Sequence, residues 1–239
     1  MPGGAYSALS GMRLRLDDLD RLAADLANVN TAGYKTERTA TETAQRAFAS
    51  LLDSAIDVTM GGAKTDFRGG TLATTGRDLD VAIDGRGFFE IETPAGTRYT
   101  RGGNFTRQND GLLTTADGMP VMGDGGEIRL PVGAVTMTPD GGLYVNKVLV
   151  GSLKVVTFER EEDLARESGT RFRPVDGAQP DEATGARLIS GALEQSNVSL
   201  VERVAVMTET TRAFEALQKG ISVLMNDIDG RAINELGRR

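Results

Sequence analysis

Three aspartates, Asp78, Asp80 and Asp84, lie close enough in the sequence to suggest a calcium site or a catalytic carboxylate cluster. On one strand they share a face, yet successive members then sit about 6.6 Å or more apart. A calcium loop needs about twelve residues ending in glutamate, and none surrounds them. A solvated strand face is expected instead. Gly85-Arg86-Gly87 has no following helix to receive a dinucleotide phosphate, so it is expected to be a turn. Ser7, Ser10 and the other serines have no histidine to activate them, and no Ser-x-x-Lys element occurs. The chain has no histidine and no cysteine, which removes the usual proton shuttle, the commonest metal ligand, thiolate sites and disulfides. A non-enzymatic protein without catalytic, cofactor or metal site is expected. The rival from another class is a polysaccharide lyase or hydrolase with an acidic β domain, which would need two carboxylates in a cleft with a raised pKa.

A net charge of −7 argues against nucleic acid, which demands a basic face to displace counterions. Arg13, Arg15, Asp17, Asp18 and Asp20 interrupt the apolar character of the first residues, so a cleaved secretory signal is not expected. No segment approaches the ~18 successive apolar residues of a membrane span. With 39% apolar residues the chain can bury a core.

The elements that must carry any function lie at the ends. Leu9, Met12, Leu16, Leu19, Ala23 and Leu26 recur at steps of three and four, and Phe214, Leu217, Ile221, Leu224 and Ile228 repeat the rhythm. Such a seam, narrower than an ordinary amphipathic face, calls for another helix. Extended backwards, the second stripe adds Leu200 and Met207 in one column but Arg203 and Thr210 in the other, with Val201, Val204 and Ala205 as compensation if the face rotates. Helix breakers avoid these segments: no glycine falls between Met12 and Ala32, and every proline except Pro2 lies between Pro94 and Pro180.

The first helix is expected from about Ala5 to Asn28, closed by Asn28, Asn30 and Gly33, since asparagine and glycine tolerate the left-handed conformation. Alanine-rich spacing suggests a second helix over Glu37 to Ile56, ended by Gly61-Gly62. The middle alternates polar and apolar residues over Asp78 to Asp84 and Gly87 to Glu92. Hairpin signals follow at Pro94-Ala95-Gly96, Asp110-Gly111, Asp117-Gly118, Asp124-Gly125 and Asp140-Gly141. They separate runs such as Glu127 to Val132, Leu143 to Val150 and Ser152 to Phe158. Glu159 to Arg166 adds a helical turn, and Pro174 to Gly185 a loop. Ser196 or Asn197 is expected to cap a last helix reaching Leu236, with Glu202 in an early turn. The fold class is α+β: an antiparallel, coiled-coil-like pair of terminal helices with an inserted all-β barrel or sandwich. The expected domains are a terminal helical assembly domain (1–35 and 192–239), a connecting segment (36–61) and a β body (62–191).

Four passages together resemble a known family: Leu26-Ala27-Asn28-Val29-Asn30-Thr31-Ala32-Gly33-Tyr34, Gly69-Gly70-Thr71-Leu72, Leu79-Asp80-Val81-Ala82-Ile83-Asp84-Gly85-Arg86-Gly87-Phe88-Phe89, and Gly191-Ala192-Leu193-Glu194-Gln195-Ser196-Asn197-Val198. With Tyr99-Thr100-Arg101-Gly102-Gly103-Asn104-Phe105, they resemble the flagellar basal-body rod and hook family of bacteria from end to end. The short link after the first helix, and Met119 to Ile128, are most like its proximal rod members, with distal rod members next and hook members third. The resemblance implies a structural subunit of the axial rod, which crosses the periplasm and passes torque from motor to hook. It implies partners among copies of itself and neighbouring rod proteins, and export through the flagellar type III apparatus. A chain without disulfides suits a route that requires unfolding. A soluble coiled-coil adaptor is the other competing expectation.

Overall fold

The computed structural model describes residues 2–38, 64–160, 163–175, 177–183 and 185–236. The chain divides into two compact units, Met1–Ala27 with Ser199–Arg239, and Asn28–Val198. The first holds two helices, α1 (Pro2–Ala27) and α2 (Leu200–Leu236). The second is rich in strands, so the protein is α+β.

The body's largest sheet has six strands, in the spatial order Leu164–Ser168, Arg171–Pro174, Gly96–Thr100, Phe88–Thr93, Val155–Thr157, Asp181–Glu182. A three-stranded sheet is built from Val135–Met137, Gly142–Val145 and Val148–Ser152, and the other described sheets are two-stranded. Neither of these larger sheets closes into a barrel. The doubled phenylalanine explains how the sheet organises the core. Successive strand residues point to opposite faces. Phe89 and Ile91 therefore enter one cluster with Val81, Phe105 and Leu113. Phe88 enters the other with Phe67, Val156, Phe158 and Phe172. Edge-to-face rings sit in both: Phe89 on Phe105 at 5.0 Å and Phe67 on Phe172 at 4.9 Å between centroids. On the Phe88 face Glu90 is buried and pairs with Lys154 at 2.9 Å. Burial, with Glu90 nearby, raises the Tyr99 phenol above its ordinary value.

Several expectations need correction. Val81, Ala82 and Ile83 are all buried, so no polar–apolar alternation holds there, and the strand Val81–Asp84 begins only after Asp78 and Asp80. The run Leu143 to Val150 is not one strand. Asn146 (φ 51°) and Lys147 (φ 70°) turn it into a hairpin in which Val145 faces Val148. Ser152 to Phe158 is likewise interrupted, at Leu153-Lys154. Leu164–Ser168 is a strand, not part of a helical turn, because Leu164 is drawn into the Phe158–Phe172 cluster. Asp181–Glu182 forms an edge strand inside the expected loop. Glu37–Arg38 pairs as a strand with Lys64–Thr65 rather than opening a helix; the remainder of that expected helix, 39–56, and the boundary Gly61-Gly62 lie outside the described residues. The turns at 110–111, 117–118, 124–125 and 140–141 fall between strands as expected, and Pro94-Ala95 turns the hairpin whose second strand opens at Gly96.

Candidate functional site

Within the helical unit, α1 and α2 pack antiparallel. A Cβ built on Gly11 would lie 3.8 Å from Leu217 Cδ1, and Asp25 pairs with Arg203 at 3.2 Å. Met12, Leu19, Leu26, Met207, Phe214, Leu217 and Ile221 are half-buried, but Leu16 is 48% exposed, Leu200 is 52% exposed, and Ala23 faces solvent. Among the described side chains of the two helices, the fully buried ones are Leu22, Asp25, Arg203 and Thr210. A straight α-helix drifts by about 20° per heptad from a strict seven-residue stripe, which carries Ala23 outward and brings Leu22 and Asp25 in. Val201, Val204 and Ala205 remain exposed and do not compensate for the polar column. Arg203 is instead matched by Asp25, and Thr210 Oγ1 donates to Val206 O at 2.9 Å. The side chains of Leu9, Leu224 and Ile228 lie outside those described.

After α1 the chain turns at Asn28. Thr31 N–H donates to Asn28 O at 3.0 Å and Thr31 Oγ1 to Asn28 Oδ1 at 3.1 Å. Asn30 is exposed. Gly33 takes φ 70°, and a Cβ there would fall 2.3 Å from the Arg101 carbonyl carbon, so glycine is required twice over.

Beyond Gly33 the outgoing and returning segments are stitched together inside the body. Gly33 N–H donates to Glu194 O at 2.8 Å. Lys35, fully buried, places Nζ 2.5 Å from Glu194 Oε1 and 2.9 Å from Arg68 O. Gly70 N–H also reaches Glu194 Oε1, at 2.8 Å. Arg101 Nε stands 2.8 Å from Glu194 Oε2 without an aligned hydrogen bond, so that contact is an ion pair, and Arg101 donates to Gly85 O and Gly87 O. Burial lowers the Lys35 ammonium below its usual pKa, against the pull of Glu194 and with a smaller push from Arg101.

Asn197 completes the stitching. Its Oδ1 accepts from Thr36 N–H at 2.7 Å, and its Nδ2 donates to Asp66 O at 2.7 Å. It is therefore not the helix cap. Ser199 precedes α2 and accepts weakly from Glu202 N–H at 3.4 Å.

The aspartate trio does not share a solvated face. Asp80 is buried and held by Arg77 Nε at 2.9 Å, while Asp78 and Asp84 are exposed. Burial raises the Asp66 carboxyl but hydrogen bonds from Arg68 bring it below its ordinary value, and Asp110 is lowered by the Leu112 backbone N–H, Asp140 by the Thr138 hydroxyl and Glu167 by the Arg98 guanidinium. Beside the Glu194 cluster lies a cavity of about 370 Å³ walled by Phe67, Leu72, Ile83 and Phe88. Its carboxylates are Asp84 and the already paired Glu194.

Residues 82–145 match the family described as flagellar hook protein FlgE/F/G D1 domain, and residues 189–234 match flagellar basal body rod FlgEFG protein C-terminal. The chain is 32% identical to the flagellar basal-body rod protein FlgF of Caulobacter vibrioides, over all of this chain and 99% of that one. The chain belongs to the flagellar basal-body rod protein family. It is 34% identical to FlgG of Bacillus subtilis, over 91% of this chain and 93% of the relative. It is 32% identical to FlgF of Salmonella typhimurium, over 97% of each. As a member of the rod family it is a structural subunit, not an enzyme. The rod-family C-terminal match contains Glu194, Asn197 and Arg203, and the D1 match contains Arg101.

Sequence reasoning missed Lys35, Arg101, Glu194, Asn197, Asp25 and Arg203 as interacting groups. Four of them sit in or beside passages quoted for the family resemblance: Lys35 follows Tyr34, Arg101 lies in the Tyr99–Phe105 segment, and Glu194 and Asn197 lie in the last passage. Nothing local tells which of them meet.

Proposed function

We propose that this chain polymerises in the proximal part of the flagellar rod, as a FlgF-type subunit, through its terminal helices. The rod would then carry torque from motor to hook across the periplasm. The distal, FlgG-type position is the alternative, and FlgG relatives of similar identity support it. The observation that carries the assembly reading is the uncovered apolar surface on the helix pair: Leu16, Leu200, Val201, Val204 and Val223 are exposed. Burying an aliphatic side chain contributes about 1.5–3 kcal/mol. Ordering one residue costs on the order of 1–2 kcal/mol, so a pair with a half-polar seam gains much from neighbours. In this reading the assembly residues are Leu9, Met12, Leu16, Leu19, Ala23, Leu26, Leu200, Met207, Phe214, Leu217, Ile221, Leu224 and Ile228. The helix pair then acts as a coiled-coil-like assembly domain, and the strand-rich body as a sandwich-like outer part. Neighbours are copies of this chain and other rod proteins. Heterologous contacts that do not close produce a filament. Export proceeds through the type III apparatus without a cleaved signal, and the absence of cysteine suits an unfolded passage.

Sedimentation of the full chain and of a chain lacking 1–27 tests this. A chain that is mostly monomeric when dilute and associates as its concentration rises, with association lost on truncation, is expected, whereas stable small oligomers in dilute solution would favour the coiled-coil adaptor. Equal association of both would remove the helices from the assembly role.

A further inference from the structure

The two helices that pack on each other also present stripes turned away from their contact. On α1 the outward positions are Arg13, Leu16, Asp20, Ala23 and Ala27, all exposed. On α2 they are Val201, Val204, Ala205, Thr208, Arg212 and Glu215, also exposed. Each set follows steps of three and four, so each lies along one helix side. The surfaces differ in shape. The α1 stripe sets Leu16 between Arg13 and Asp20 and ends in the small Ala23 and Ala27, whereas the α2 stripe begins with the branched Val201 and Val204 and ends in Arg212 and Glu215. Thr208 Oγ1 donates to Val204 O at 2.9 Å, which spends its hydroxyl proton within the helix.

We propose that the outward stripe of α1 docks on the outward stripe of α2 in a second copy of this chain. The inference rests on the assembly reading above and names the faces that meet. Copies pointing the same way bring α1 of one antiparallel to α2 of the next, because the two helices are antiparallel within each copy. The proposal places neighbouring copies at equal height, which carries over the register found within the chain and sets Ala23 opposite Ala205 and Arg13 opposite Glu215, with Asp20 one turn from Arg212. Opposite charges meet at both places. Among the described residues none of these four groups has an ion pair within its own chain, unlike Arg15, Arg21 and Asp18, which pair along α1. A like-with-like contact between two α1 stripes would put Arg13 and Asp20 against their own kind in a parallel pairing. Since the contacting stripes lie on different helices, each copy keeps one unused stripe after docking, on which a further copy can add.

The chain has no cysteine, which permits a direct test. Ala23→Cys and Ala205→Cys are made as separate full-length proteins and oxidised singly and as a mixture, with association of the unmodified chain followed by sedimentation at the same concentration. The proposal expects a disulfide-linked dimer in the mixture and none in either protein alone. Introducing Arg13→Glu into the Ala23→Cys protein reduces the dimer yield by roughly fivefold, as an exposed attractive pair becomes repulsive. Introducing Glu215→Arg into its partner restores the yield. Dimer from Ala23→Cys alone, or none from the mixture while the unmodified chain associates, overturns the face assignment and leaves the assembly reading standing. Failure of the unmodified chain to associate overturns both.

Discussion

Lys35 Nζ lies 2.5 Å from Glu194 Oε1, joining residues 159 positions apart at the point where the strand-rich unit begins and ends. Two cations, Lys35 and Arg101, share this one buried carboxylate. Desolvating three charges is costly, so the cluster does not stabilise the body merely by existing. Its weight is felt when one member is removed.

Glu194→Gln keeps the side-chain volume but leaves Lys35 and Arg101 facing a neutral amide. A loss of about 3–5 kcal/mol is expected, read as a lower urea midpoint for the body. Adding Lys35→Met recovers part of that loss, because Arg101 retains the Gly85 and Gly87 carbonyls. A loss under about 1 kcal/mol in the single variant would mean that water reaches the cluster.

Asp25→Ala leaves Arg203 buried without its carboxylate. The helix pair should lose about 3–5 kcal/mol, seen as reduced helical circular dichroism with the body's aromatic signals unchanged. The double variant Asp25→Leu, Arg203→Leu should restore the helical signal, since apolar side chains in the same seam need no partner. A double variant as unfolded as the single one would contradict the ion-pair account.

Burial raises the Asp66 carboxyl, but hydrogen bonds from the Arg68 side chain and backbone, with the charges of Arg38 and Arg68, bring it below the ordinary 3.8. The folded state therefore binds this proton less readily than the unfolded chain does. Stability from Asp66 is fully present above pH 3.8 and is lost as pH falls through the lower folded value. Comparing Asp66→Asn with the parent by denaturant titration, the stability gap should be constant near neutrality and shrink below pH 3.8. A gap that widens on acidification would reverse the assignment.

The parts legible in the sequence were those set by local chemistry. Asp110-Gly111 and Asp140-Gly141 announce turns because glycine takes positive φ without a steric cost, and both glycines do so here. The glycine-free run from Met12 to Ala32 announces most of α1, and the stretch from Ala192 to Asp229, broken by Gly220 alone, announces most of α2. Asn146-Lys147 was less readable, since a lysine at φ 70° is unusual and the flanking valines continue the strand pattern. Leu164 was misread because its neighbours Glu159 to Arg166 suit a helical turn, while packing against Phe172 decides the matter. Lys35 and Glu194 are residue types that normally sit in solvent, and no period links partners so far apart. Leu22 replaced Ala23 at the helix contact because a heptad stripe is only an approximation to the helix repeat.

Phe88 and Phe89 anchor adjacent cores from consecutive positions on one strand. A pull that loosens either ring must shift the backbone holding the other, so these two cores offer no plane of cleavage between them. Under a twisting load they should yield all at once or not at all, behaving as a single cooperative block rather than peeling sheet by sheet.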